Sequence, residues 1–142
     1  MDVTRVKMPH GTTHRLEPDV VHELPEQEHR DTRGHQVHLD VTEHTDPNVL
    51  VKVDCEVSTD GGKTWAYGGG FTRAGGPAVD KYGEPMQYAV VAFGHEPDPR
   101  HKPATHRLVR TTVTVVGGAL DTKVHVCGIA GANLDKSAVP KD

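Results

Sequence analysis

The sequence predicts an all-β fold, an antiparallel two-sheet β-sandwich of immunoglobulin-like or jelly-roll type with about seven or eight strands. Three observations predict it. Valine occurs 20 times and threonine 14, against 7 leucines and 1 isoleucine, and that β-branched excess favours strands over helices. Residues 49 to 58 alternate: Val49, Val51, Val53, Cys55 and Val57 fall on one face, and Leu50, Lys52, Asp54, Glu56 and Ser58 on the other. A period of two over such a stretch marks a half-buried antiparallel strand. The 15 glycines and 10 prolines punctuate the chain too often for long helices.

At 142 residues the chain suits one domain that buries a core without disulfides or metals. Val3 to Met8 is a weak strand candidate. Residues 10 to 48 are polar, hold 7 of the 11 histidines and offer few apolar anchors, with His35 to Thr42 as their one weak strand. The strand at 49 to 58 runs into a turn, so Lys63 to Arg73 should return as its hairpin partner. Gly68, Gly69 and Gly70 interrupt that return and predict a bulge or a close backbone approach. Gln87 to Phe93 is a short apolar strand after a Gly-Pro-rich loop, and the three prolines between Glu96 and Lys102 and at 103 stiffen the next loop. Thr105 to Val116 points Val109, Val113 and Val115 inward and spreads Arg107, Leu108, Arg110, Thr112 and Thr114 over the rest; Thr122 to Ile129 closes the sheet through Val124 and Val126. The expected organisation is a polar N-terminal arm with the first strands at 1–48, a sandwich core at 49–130 and a C-terminal tail at 131–142.

The net charge of −4 argues against general nucleic-acid binding. No apolar run approaches the roughly 20 residues of a membrane-spanning helix, and Met1 to Pro9 lacks the apolar stretch of a secretory signal. Synthesis in a cytoplasm is expected, with no nucleic-acid or membrane partner. Cys55 and Cys127 belong to no Cys-x-x-Cys unit; two buried thiols are expected, with a disulfide allowed by spacing.

Residues 58 to 65 read Ser-Thr-Asp-Gly-Gly-Lys-Thr-Trp. They resemble the Asp-box, the Ser-x-Asp-x-Gly-x-Thr-Trp hairpin of sialidases and many other β proteins, matched here by Ser58, Asp60, Gly62, Thr64 and Trp65. The resemblance implies a structural hairpin: Asp60 accepts from the turn's own N–H groups, the glycines allow positive φ, and Trp65 folds back as an apolar plug. A single copy cannot build a propeller, which needs about four or more blades. The sialidase pattern also needs an arginine cluster, a tyrosine nucleophile and its acidic partner. Arg73, Arg100, Arg107 and Arg110, with Tyr67, Tyr82 and Tyr88, have no such spacing.

Other chemistry is weaker still. His35 and His38 are three apart, which in a strand puts them on opposite faces; His10 with His14 would need a helix beside Pro9 and Gly11; His101 and His106 flank a loop. No histidine pair has two-residue strand spacing, so surface histidines are expected and no metal or cofactor site. Protonating all 11 would carry the formal net charge from −4 to +7. No Gly-x-Ser-x-Gly elbow exists, and the glycine clusters at 68–70, 75–76 and 117–118 lack the Lys-Ser/Thr ending of a phosphate loop and precede no expected helix. No catalytic residue is expected.

Glu23 to Arg33 holds too little apolar surface to order alone, so an ordered state predicts an arm laid along a neighbouring subunit. The stretch from Val49 to Gly118, with its alternating strand into the Asp-box-like turn, its Gly-Gly-Gly-Phe-Thr-Arg-Ala-Gly-Gly return and its Thr-Thr-Val-Thr-Val-Val-Gly-Gly run, resembles small β-sandwich virion proteins of tailed bacteriophages. That resemblance implies a non-enzymatic structural protein of the virion, a capsid decoration or cement protein bridging neighbouring coat subunits, with a tail or neck component next. Its partners would be the major capsid protein, other virion subunits or copies of itself. His22, Glu23, Leu24, Pro25, His29 and Arg30 of the arm, and Pro97, Pro99, Arg100 and His101 of the Pro-rich loop, are the expected contacts. The rival reading is a carbohydrate- or cell-surface-binding module, which the 4% aromatic content disfavours.

Overall fold

A computed structural model describes residues 4–30, 32–41, 48–74, 78–79, 85–86, 88–94 and 106–130. Those residues are all-β, in two packed sheets with a small ribbon. The strands are β1 (Thr4–Lys7), β2 (His14–Leu16), β3 (Val20–Glu23), β4 (Gln27–Arg30), β5 (Thr32–Val41), β6 (Leu50–Ser58), β7 (Ala66–Ala74), β8 (Ala78–Val79), β9 (Pro85–Met86), β10 (Tyr88–Gly94), β11 (His106–Val116) and β12 (Leu120–Ala130). A six-stranded sheet runs β1-β3-β11-β6-β7, with β4 also on β11, and a four-stranded sheet runs β10-β5-β12-β2. The main sheets thus hold more strands than the sequence suggested, because the polar N-terminal third supplies four short ones. Pairing is antiparallel except for β1, which lies parallel to β3 at the sheet edge.

The alternating segments behave as their pattern demands. Val51, Val53 and Cys55 of β6 and Val109, Val113 and Val115 of β11 point into one buried cluster with Val37, Leu39 and Val41 of β5 and Val124 and Val126 of β12. β6 and β7 form the expected hairpin. Its ladder shifts between Asp54 and Glu56, whose partners are Gly70 and Tyr67, so Gly68 and Gly69 together face Cys55. This is a bulge at the glycine run. Gly69 has φ +107, and a Cβ there would overlap the Phe93 ring of β10, so glycine lets the two sheets close at this end.

The N-terminal third is not an arm. β1, β3 and β4 pair within the six-stranded sheet while β2 and β5 pair in the other, and Met8, Leu16 and Leu24 join the same core. β3 and β4 lie along one edge of β11, and between them the Leu24 N–H donates to the Thr111 carbonyl at 3.0 Å. The segment orders because Met8, Leu16, Leu24, Val37, Leu39 and Val41 turn inward, although Val6 stays exposed, and three of its histidines take core positions. His22, His29 and His35 are buried, His35 completely, which corrects the expectation of surface histidines. Burial lowers the pKa of all three, His35 to about 4, so they stay neutral and behave as apolar rings with polar edges. Arg107, assigned outside the inward set, is also buried. Its guanidinium donates to the Thr32 carbonyl at 2.9 Å, an outlet that a long side chain can reach.

The thiols are free and differently placed: Cys55 is buried, and Cys127 is half-buried. Cys55 faces the core from the six-stranded sheet with Thr111 Oγ1 at 3.5 Å. Cys127 stands on the outer face of the four-stranded sheet, so it is not the buried thiol that was expected and the two cannot pair.

Candidate functional site

The hairpin turn takes the form its motif implies. The Thr64 N–H donates to Asp60 Oδ1 at 2.9 Å, the Thr64 hydroxyl donates to Asp60 Oδ2, and the Ser58 hydroxyl donates to Asp60 Oδ1 at 2.7 Å. Ser58 Oγ in turn accepts from the Gly62 N–H at 2.9 Å. These donors, those of Thr64 first, hold the Asp60 carboxyl down at about 2. Gly61 and Gly62 have φ +77 and +93, as the turn requires. Trp65 departs from expectation. Its indole is half-buried outside the core cluster; its Nε1–H donates to the Gly62 carbonyl at 3.1 Å, and the Arg110 guanidinium stacks over its ring at 4.0 Å. It staples the turn to the outer face instead of plugging the core, because β11 presents Arg110 outward beside it. The motif holds a hairpin together, and among the described residues no acid–base pair converges on it.

A trough of about 650 Å³ lies on the outer face of the six-stranded sheet. Alternation puts Lys52, Asp54 and Glu56 of β6 and Arg110, Thr112 and Thr114 of β11 on its floor, and Leu24 and Pro25 at one end. Six of its charges form pairs: Arg5 with Glu23 at 2.9 Å, Arg110 with Glu56 at 2.8 Å and Lys52 with Asp54 at 3.8 Å. Such exposed pairs give about 0–1 kcal/mol each, so the pattern bears on recognition more than on stability.

Of the expected contacts, Glu23 and Pro25 border this trough. Leu24 lines it too but is buried, as are His22 and His29, so these three cannot serve as free contact surface. The His22 ring lies 3.2 Å from the Val113 carbonyl, and His29 Nε2 lies 2.9 Å from Gln27 Oε1. Arg30 is exposed and donates to Glu28 Oε1 at 2.8 Å; His106 lies 2.9 Å from the other oxygen. Pro97, Pro99, Arg100 and His101 lie outside the described residues.

A second constellation was not foreseen. His38 of β5 and His125 of β12 stand directly opposite each other across the strand pair. Their rings meet edge to face at 5.0 Å, and Cys127, two residues along β12, brings its Sγ to 3.7 Å from His38 Nε2. The three ligand atoms all lie within 4.8 Å of one another. Gln36 sits alongside, its Oε1 at 3.3 Å from His38 Nε2. The signal in the sequence was the two-residue spacing of His125 and Cys127, which an argument confined to histidine pairs passes over.

No protein-family model matches the chain, nor does any curated protein sequence. Among the solved structures that match is the pre-peptidase C-terminal domain of a collagenase from Bacillus anthracis. The likeness is at TM-score 0.39 and 7% identity, over 89% of this chain and 98% of that one. At that level it carries no argument about role.

Proposed function

We propose that the protein is a non-enzymatic structural component of a virion, a capsid decoration or cement protein that docks onto neighbouring coat subunits through the outer face of its six-stranded sheet. The observation that carries the reading is the trough, whose floor presents charges of both signs on paired strands. A protein surface of complementary charge can trade these internal pairs for cross-interface ones. The phage-like run from Val49 to Gly118 supplies the virion setting. The test is the melting of purified coat shells with and without the protein. Shells should melt at higher temperature with it, and less so with Lys7→Glu plus Lys52→Glu. Identical melting in all cases removes the proposal.

A carbohydrate-binding role keeps one observation in its favour. Tyr67 is 70% exposed beside the Gly68–Gly69 bulge, and an open ring can stack on a sugar. A specific glycan-array signal lost in Tyr67→Ala would rank this reading first; Tyr82 lies outside the described residues.

A further inference from the structure

We propose that His38, His125 and Cys127 form a binding site for one thiophilic transition-metal ion of the zinc class, on the outer face of the four-stranded sheet.

The ligand set has the right chemistry. Two imidazoles and a thiolate suit a borderline-soft ion, and three protein donors with a fourth position left for water is a recurring arrangement for zinc. The spacing also fits. Tetrahedral bonds of ordinary length put a sulfur and a nitrogen donor roughly 3.5 Å apart, against 3.7 Å between Cys127 Sγ and His38 Nε2. The widest separation, no more than 4.8 Å, closes by side-chain rotation because the backbone is already in place. β5 and β12 are the inner strands of their sheet, and their register fixes His38 opposite His125 and Gln36 opposite Cys127.

Both imidazoles are half-buried on the outer face, and His10 is close enough to interact with His125. His10 itself is engaged elsewhere, with Nδ1 accepting from the Val126 N–H and Nε2 beside the Pro25 carbonyl. Lys123 borders the same depression and opposes a cation, but Asp40 stands directly across from it. The depression, about 370 Å³, opens His38 and His125 to solvent, and Cys127 is itself half-buried, so an ion can enter and a water can complete its shell. Bound there, the metal would clip β5 to β12 and stabilise only the folded chain.

The test uses the full chain, stripped with chelator, and Zn²⁺ or Co²⁺ alone. One equivalent of Zn²⁺ should be retained and should raise the melting temperature. Co²⁺ should give a thiolate charge-transfer band that Cys127→Ser abolishes, that His125→Ala and His38→Ala weaken or abolish, and that Cys55→Ala keeps. The three ligand side chains sit outside the core, so circular dichroism should show each of these variants folded. Failure of the wild-type chain to retain zinc overturns the proposal, as does a cobalt band that survives Cys127→Ser.

Discussion

The first five strands and the β6–β7 hairpin fill the same core by different means. β6 does it with alternating valines, each of which carries its burial in its own chemistry. The N-terminal third does it with Met8, Leu16, Leu24 and the Val37, Leu39 and Val41 of β5, and adds a set of histidines whose burial depends on staying neutral. One region is held by a term that pH hardly touches. The other carries ionisable rings in the interior, and its stability should depend on acid.

The largest effect that would break this comparison comes from Leu16, which is fully buried. Leu16→Ala should destabilise the isolated chain by about 3 kcal/mol through the cavity it leaves, as measured by denaturant unfolding. An arm laid on another subunit would show no loss in the isolated chain. Next is acid. Because the folded pKa values of His22, His29 and His35 lie below the ordinary 6.5, the unfolded chain takes up protons that the folded chain refuses. Their contribution is therefore complete above about pH 6.5 and is lost as pH falls towards 4, the value to which His35 is pushed. For His35 alone the loss is about 3 kcal/mol. Melting temperature against pH should fall across that window, and His35→Gln should flatten the fall.

The hairpin should respond more weakly. Trp65→Ala removes a half-buried indole and its stacking on Arg110, for a cost of about 1–2 kcal/mol. A loss as large as that of Leu16→Ala would mean that Trp65 is a core plug after all. The smallest effect belongs to Asp60, whose carboxyl is held near 2 against an ordinary 3.8. Its contribution is present above 3.8 and is lost only as pH falls towards 2. Asp60→Ala should thus lower the melting temperature at neutral pH and remove this second, more acidic step while leaving the histidine step intact.

The same contrast explains what could be read from the chain. Strands whose inward residues are aliphatic announce themselves: β6, β11 and β12 lie close to where alternation puts them, and the Gly68–Gly69 bulge follows from its glycines. β3 and β4 were read as arm because His22 and His29 count as polar in any pattern, and only a partner's carbonyl or amide makes such rings tolerable inside. Arg107 looked outward because nothing local reveals the Thr32 carbonyl that receives it at 2.9 Å. Trp65 looked like core because the motif fixes its turn but not what stands beside it. The His38, His125 and Cys127 cluster needs the register of β5 against β12, which joins residues far apart in sequence and is set by packing.

The central claim is that the molecule works by docking its six-stranded sheet's outer face against coat subunits. Lysine crosslinking of assembled particles, read by mass spectrometry, tests it most directly. The account predicts that Lys7 and Lys52, on the trough, link to coat protein while Lys123, on the opposite sheet, does not. Links from Lys123 with none from the trough lysines would contradict it.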